Sequence, residues 1–354
     1  MRILVWQWGR FGAGPRLGRE FADAFAGVDG TRALLSLSDR AEILAGPDAV
    51  PCDLPVRTYA NVAGYAARVL SLPRFVPWLT GQVAALQPDI ALCAMPGPLD
   101  LAMHIALRRI GVPYAVVVHD ADPHPGDGYP LQLTLQRRLV LRAGALVVLS
   151  DHVEKRLARQ GLTARRPVIR SQLPQASIPG LPPVRAHGGP FRLLSFGRLL
   201  AYKGLDLLAE ALAQVLPGTP MEVRIVGQGP EGPELAALRR LPGVTVENRW
   251  VPEAEINTLL AWADGLVLSH REASQSGVAA AALAARRYLV ATRVGGLAEQ
   301  AAGDPSAVLC DASAESLAGA LRRMLELPLP LARAGFGTLQ AAALVAALRS
   351  SLKN

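Results

Sequence analysis

FGRLLAYKG (residues 196–204), VGQGP (226–230), SHREASQSGV (269–278) and TRVGGLAE (292–299) stand at the ends of successive strand-like runs in the second half of the chain. Each puts glycine or charge where an apolar run gives way to a helical pattern. In an open parallel sheet, ligands bind beyond the carboxyl ends of the strands, so four such turns in sequence define one shared site. The chemistry of the turns suits a phosphorylated ligand.

After the apolar run FRLLSFG, Arg198 and Lys203 bracket the loop that opens a helix predicted over Gly204–Val215. A helix N-terminus already favours anions, and cations placed there oppose its dipole unless an anion is bound. Together the two residues would hold a diphosphate. The strand GLVLSH leads into Glu272, and Ser274, Gln275, Ser276 and Gly277 then start an apolar helix predicted over Val278–Ala285. Free N–H groups at its first turn are anion donors. A carboxylate beside them is suited to sugar hydroxyls, for which it is a strong acceptor. Each feature also has a plainer reading. Gly227 and Gly229 are what any tight strand-to-helix turn needs, Ser274 or Ser276 is a normal N-cap, and Glu272 is a normal first-turn acid.

In the N-terminal half, MRILVWQW is a predicted strand and GRFGAGPR a glycine-rich turn into the amphipathic helix Leu17–Ala26. Gly12 and Gly14 would let a phosphate or sugar approach the backbone closely. A dinucleotide fingerprint is not met, because Leu17 stands where its third glycine belongs. Further on, the strand YAVVVHD ends in His119 and Asp120, before Asp122, His124 and Asp127. The cluster offers imidazole and carboxylate groups but matches no recognised metal spacing, and loop residues satisfying a turn would look the same.

The ordered motifs resemble the nucleotide-binding half of a family 4, GT-B fold, retaining glycosyltransferase, over roughly residues 191–330. FGRLLAYKGLDLLAEAL is similar to the family's FxGR followed by KGxDxLxxA, VGQGP to its VGxGP turn, AWADGLVLSHRE to its alanine-aspartate strand and acidic loop, and VATRVGGLAE to its VGGxxE segment. The resemblance implies that Arg198 and Lys203 contact the donor diphosphate, that Gly197, Gly227 and Gly229 border the nucleotide, and that Glu272 and His119 face the donor sugar. His124 and the HPGD turn resemble acceptor-side features. The family pattern has a second glutamate eight positions after the first, on the ribose; here that position is Ala280. The loop instead resembles a bacterial EA[ST]QSGV subgroup.

The fold expected is α/β, with two doubly wound Rossmann-like domains and an interdomain cleft. Residues 1–172 would form the acceptor-side domain, 173–190 a proline- and glycine-rich linker, and 191–335 the donor domain. Six to seven strand-like runs precede the linker and about six follow it. A terminal helix over 336–352 is implied to cross back onto the first domain. Of 354 residues, 51% are hydrophobic, enough for two such cores. The net charge of +8 is uneven, with 21 Lys and Arg against 14 Asp and Glu up to residue 185 and 16 against 15 beyond it.

Arg137, Arg138, Arg142, Lys155, Arg156, Arg159, Arg165, Arg166 and Arg170, interleaved with apolar residues, would suit an anionic membrane surface or a lipid diphosphate acceptor; a solvated face reads the same way. No basic motif interleaved with aromatics points to nucleic acid. The three cysteines are scattered, and no run is long enough to cross a bilayer. The expectation is a cytoplasmic glycosyltransferase, peripheral at most to the inner face of the membrane, in bacterial surface or exopolysaccharide synthesis. It would use a nucleotide-diphosphate sugar of UDP or GDP type as co-substrate, with no metal or other cofactor, and a saccharide or lipid-linked acceptor. Two alternatives stay open: an inactive nucleotide-sugar-binding partner, which Ala280 favours, and a sugar-nucleotide epimerase.

Overall fold

A computed structural model describes residues 1–45, 49–122, 130–174, 180–330 and 338–352. His124 and the rest of the HPGD turn lie outside them. The chain divides into two compact units, the first taking the N-terminal part through Pro174 together with the C-terminal helix, the second the residues between.

The first unit runs β1 (Arg2–Gln7), α1 (Ala13–Ala26), β2 (Arg32–Ser38), β3 (Leu54–Val56), α2 (Val62–Leu70), α3 (Leu72–Leu86), β4 (Ile90–Cys93), α4 (Asp100–Arg109), β5 (Tyr114–Val118), α5 (Pro130–Val140), β6 (Ala145–Val148), α6 (Asp151–Arg159) and β7 (Val168–Arg170). The second runs β8 (Phe191–Phe196), α7 (Leu205–Val215), β9 (Met221–Gly227), α8 (Pro233–Arg239), β10 (Val244–Asn248), α9 (Glu253–Trp262), β11 (Gly265–Leu268), α10 (Gly277–Ala284), β12 (Tyr288–Thr292), α11 (Gly295–Ala301), β13 (Ala307–Cys310) and α12 (Ala314–Leu325). The last helix, α13 (Thr338–Leu352), returns to the first unit and packs on α1, β4, β5, β6 and β7.

Every strand pair is parallel. The seven-stranded sheet has the order β3-β2-β1-β4-β5-β6-β7 and the six-stranded sheet β10-β9-β8-β11-β12-β13. Each therefore reverses direction once, between β1 and β4 and between β8 and β11, the places where an open α/β sheet leaves a crevice. Two doubly wound sheets of seven and six strands match the expected fold class.

Strands buried on both faces read as near-continuous apolar runs, and their period of two sends alternate residues into separate cores. In β1, Leu4 and Trp6 join the core under α3 and α4. Ile3 and Val5 join the one under α1 and α13, where Ala341, Leu344 and Leu348 are buried. In β8, Leu193 packs with α7 and α12, and Leu194 and Phe196 with α10 and α11. The stretch before β8 is tied down by Asp264 at the start of β11, 1% exposed. Its carboxylate accepts the N–H of Arg185 at 2.5 Å and of Arg192 at 2.9 Å and pairs with the His187 imidazole at 2.9 Å. Among the described residues no helix is long and apolar enough to cross a membrane.

Candidate active site

The switch point of the second sheet is laced together from four loop ends. After β8 the chain turns through Gly197, whose φ of 117° favours glycine, and its N–H bonds the Val226 carbonyl at 3.0 Å. The VGQGP turn lies directly on this backbone. A Cβ on Gly227 would stand 1.6 Å from the Gly197 carbonyl oxygen, and one on Gly229 2.0 Å from that of Leu199. Asn248 at the end of β10 fixes Gly229 from the far side, accepting its N–H and donating to its carbonyl, both at 3.0 Å. Gly227 and Gly229 are thus required by turn-on-turn packing.

Arg198 and Lys203 both contact Tyr202. The exposed Arg198 guanidinium donates to the Tyr202 hydroxyl at 3.0 Å and lies 5.9 Å from its ring centroid. The Lys203 ammonium is 5.1 Å from the same centroid. Lys203 ends a single 3-10 turn, Ala201–Lys203, and reaches across to the loop after β11, where its Nζ is 2.7 Å from His270 Nε2. An ammonium has only donors, so Nε2 is the acceptor and His270 carries its proton on Nδ1. Neither Tyr202 nor the 3%-exposed His270 was singled out in the sequence. The signal was present: an aromatic between two cations, and an imidazole two places before the acidic residue.

The ends of β8 and β11 are then locked to each other. Ser269 Oγ donates to the Lys203 carbonyl at 2.8 Å, and the Arg271 N–H bonds the Tyr202 carbonyl at 2.8 Å. Gly204 has φ 64°, and a Cβ there would lie 2.0 Å from the Ser269 carbonyl oxygen. Arg271 also pairs with Asp206 in the first turn of α7. Thr292 at the end of β12 holds the His270 carbonyl at 2.6 Å.

Glu272 follows, partly exposed, and Ser274 and Ser276 are buried beyond it. Ser276 is the N-cap of α10 and accepts the Ala279 N–H at 3.2 Å. Gln300 of α11 clamps the Ser276 backbone, accepting its N–H at 3.0 Å and donating to its carbonyl at 2.9 Å. The plainer reading of Ser276 therefore holds in part: its side chain serves its own helix and so fixes where the α10 N-terminus points. Gln275 and Gly277 complete the turn, and Ala280, 6% exposed, is packed inside α10. Two cations, a carboxylate and a helix N-terminus are thus gathered at the carboxyl ends of β8 and β11, an arrangement that favours a diphosphate.

The remaining sequence candidates lie in the first unit. His119 directly follows β5, and its Nδ1 is 3.0 Å from Asp120 Oδ2. Asp122 is committed to α6, pairing with Arg156 at 2.5 Å and accepting from Gln160 at 2.8 Å. Among the described residues no group of three or more His, Cys, Asp or Glu is arranged to hold a metal ion. Gly12 caps α1 with φ 74°, and its N–H goes to the Glu42 carboxylate at 2.7 Å. Gly14 faces the buried Gln7, whose Nε2 would be 2.6 Å from an added Cβ. Both glycines have local duties in the fold.

Residues 190–327 match the family described as Glycosyl transferases group 1, and residues 17–171 match the Glycosyl transferase 4-like domain. A 2-deoxystreptamine glucosyltransferase of Streptomyces kanamyceticus is 27% identical over 260 residues, covering 65% of this chain and 66% of that protein, just short of two thirds of its length. The fold is similar to that of Anabaena Alr3699/HepE in complex with UDP and glucose, with TM-score 0.70 and 17% identity over 99% of this chain and 100% of that one. It is also similar to sucrose-phosphate synthase from Thermosynechococcus elongatus, with TM-score 0.64 and 18% identity over 99% and 94% of the two chains. With a match to the 4-like domain on its first sheet and to the group 1 domain on its second, the chain has the GT-B fold of glycosyltransferases.

Proposed function

We propose that the protein transfers a glycosyl unit from a nucleotide-diphosphate sugar to a hydroxyl of a saccharide or lipid-linked saccharide, with retention at the anomeric carbon, as a family 4 enzyme of the EA[ST]QSGV type. The observation that carries this is the convergence of Arg198, Lys203 and the start of α10 on the β8/β11 switch point. As the bond between anomeric carbon and diphosphate breaks, negative charge grows on the leaving oxygens. Fixed cations and a helix N-terminus stabilise it without reorganising. Arg198 and Lys203 hold the diphosphate, and Glu272 accepts sugar hydroxyls. Retention follows from attack on the face the diphosphate leaves, with the departing phosphate taking the acceptor proton. No cofactor is needed beyond the donor itself.

A UDP-hexose is the first donor to test, because one structural neighbour is described with UDP and glucose and the Streptomyces relative is a glucosyltransferase. The assay is release of the nucleoside diphosphate from UDP-glucose, and from GDP-mannose as the second arm, across a panel of hydroxyl acceptors, with the anomeric configuration of the product read by NMR. Acceptor-dependent release with a retained anomer is expected. Release of an isomerised sugar without any acceptor would make the protein an epimerase instead, and nucleotide binding without turnover would make it a binding partner.

A further inference from the structure

Outside the donor site, the carboxyl-end edge of the first sheet carries a concavity that none of the motifs accounts for. It opens between the ends of β2 and β3 and helices α2 and α3, with a volume of ≈ 340 Å³, and an adjoining hollow of ≈ 290 Å³ shares Arg57, Arg68 and Ser71 with it. That is the lower end of the range of small-molecule sites. Its charged lining is Arg40, Arg57 and Arg68 against the single carboxylate of Asp39, and Arg74 lines the adjoining part.

Several arginines elsewhere in the chain are paired with carboxylates. Arg170 pairs with Asp151 and Glu154, Arg239 with Glu231, and Arg249 with Glu247 and Glu255. Part of the basic run from Arg137 to Arg170, prominent in the sequence, is likewise engaged within the first unit. Arg156 pairs with Asp122, and Arg166 donates to the Ala143 and Leu141 carbonyls. The concavity differs. The side chains of Arg40, Arg57 and Arg74 make no hydrogen bond, ion pair or ring contact among the described residues, and Asp39 forms no ion pair with them.

Arg68 is the fixed member. Its guanidinium lies 4.6 Å from the centroid of the Phe75 ring and donates to the Thr58 carbonyl and Ser71 Oγ at 3.5 and 3.4 Å. Arg10 of the loop after β1 donates to the Ala60 carbonyl at 2.6 Å and so braces one wall. Trp78, 45% exposed and stacked on Phe75 at 5.7 Å, stands at the rim. Four guanidinium groups across the two adjoining hollows, three lining each, repel one another, and the arrangement is relieved by a planar or tetrahedral oxyanion that accepts bidentate bonds.

We propose that this concavity binds a phosphate-class oxyanion carried by the acceptor, with Asp39 accepting from hydroxyls on the same molecule and the Trp78 ring supporting its less polar part. The word acceptor rests on glycosyl transfer; the anion binding does not. The test uses the full chain and inorganic pyrophosphate as probe, titrated calorimetrically into an Arg198→Ala/Lys203→Ala protein so that the donor site does not contribute. Saturable binding is expected, weakened about tenfold or more when Arg57→Ala and Arg74→Ala are added. Both positions are exposed, so melting temperature should show that the fold is kept.

A second arm sediments the same proteins with phosphatidylglycerol or phosphatidylcholine vesicles. Sedimentation with the anionic vesicles alone, lost with the same two substitutions, identifies the oxyanion as a lipid headgroup. Pyrophosphate binding without sedimentation identifies a soluble phosphorylated acceptor. No binding in either arm, or binding indifferent to Arg57 and Arg74, overturns the proposal. UDP affinity of the wild type against Lys203→Ala, measured separately, reports the donor site, so failure of one reading is distinguishable from failure of the other.

Discussion

The two sheets have the same strand order around their switch points, yet their loops are used in different ways. After β1, the glycine turn is closed by the protein itself: Gly12 gives its N–H to Glu42, and Gln7 fills the space beside Gly14. After β8, the glycines press backbone on backbone, and Arg198 and Lys203 of the same loop contact Tyr202 and His270. The acids after the fourth strand of each sheet differ as sharply. Asp100 is fully buried, accepting the Gly97 N–H at 2.6 Å and lying 3.4 Å from Cys93 Sγ, whereas Glu272 stays partly exposed. Shared topology supplies the same turns, and the side chains decide what each turn carries.

The comparison is broken most directly at Lys203. Lys203→Ala should lower transfer by about 10² to 10³, as for loss of one preorganised charge-stabilising donor. The check is steady-state release of nucleoside diphosphate. A variant within a few-fold of wild type would place the reactive diphosphate elsewhere.

Glycine substitutions sharpen the contrast. Gly227→Ala forces a Cβ to 1.6 Å from a backbone carbonyl, where neither partner can move cheaply, and should cost about 3 kcal/mol or more in urea unfolding. Gly14→Ala meets the end of the Gln7 side chain at 2.6 Å, which can rotate, so about 1 kcal/mol is expected. Equal costs would mean that the two turns are not built differently.

Asp100 supplies a pH test. Burial raises its carboxyl to about 7, against an ordinary value of 3.8. The folded state therefore holds a proton that the unfolded state releases, so this contribution is complete below about pH 4 and is lost as pH rises towards 7. Asp100→Asn keeps an acceptor for Gly97 without the charge. Its stability relative to wild type should rise by on the order of 3–4 kcal/mol between pH 4 and pH 8, read from chemical denaturation at each pH. A pH-independent difference would show that Asp100 is ionised in the folded protein.

The sheet class and the placement of the second-half turns were legible because each strand there is a short apolar run closed by glycine or charge, and both parallel cores need that pattern. Arg198, Lys203 and Glu272 were readable because they sit next to those glycines in the chain. His270 and Gln300 were not, since their partners Lys203 and Ser276 are 67 and 24 residues away in sequence. The arginine-lined hollow was hidden for the same reason, its members being spread over the loops after β2 and β3 and the helices α2 and α3. Conversely, the dense basic run from Arg137 to Arg170 drew attention by proximity in sequence, although several of its members are satisfied inside the fold.

The central claim is that the β8/β11 switch point binds a nucleotide diphosphate through Lys203 and Arg198. It is tested most directly by thermal shift of wild type and Lys203→Ala with UDP, GDP, ADP and dTDP. One nucleotide present at about 100 times its dissociation constant should stabilise the wild type by about 2.7 kcal/mol, and the effect should vanish in the variant. A shift retained in full by Lys203→Ala, or none with any nucleotide, would contradict it.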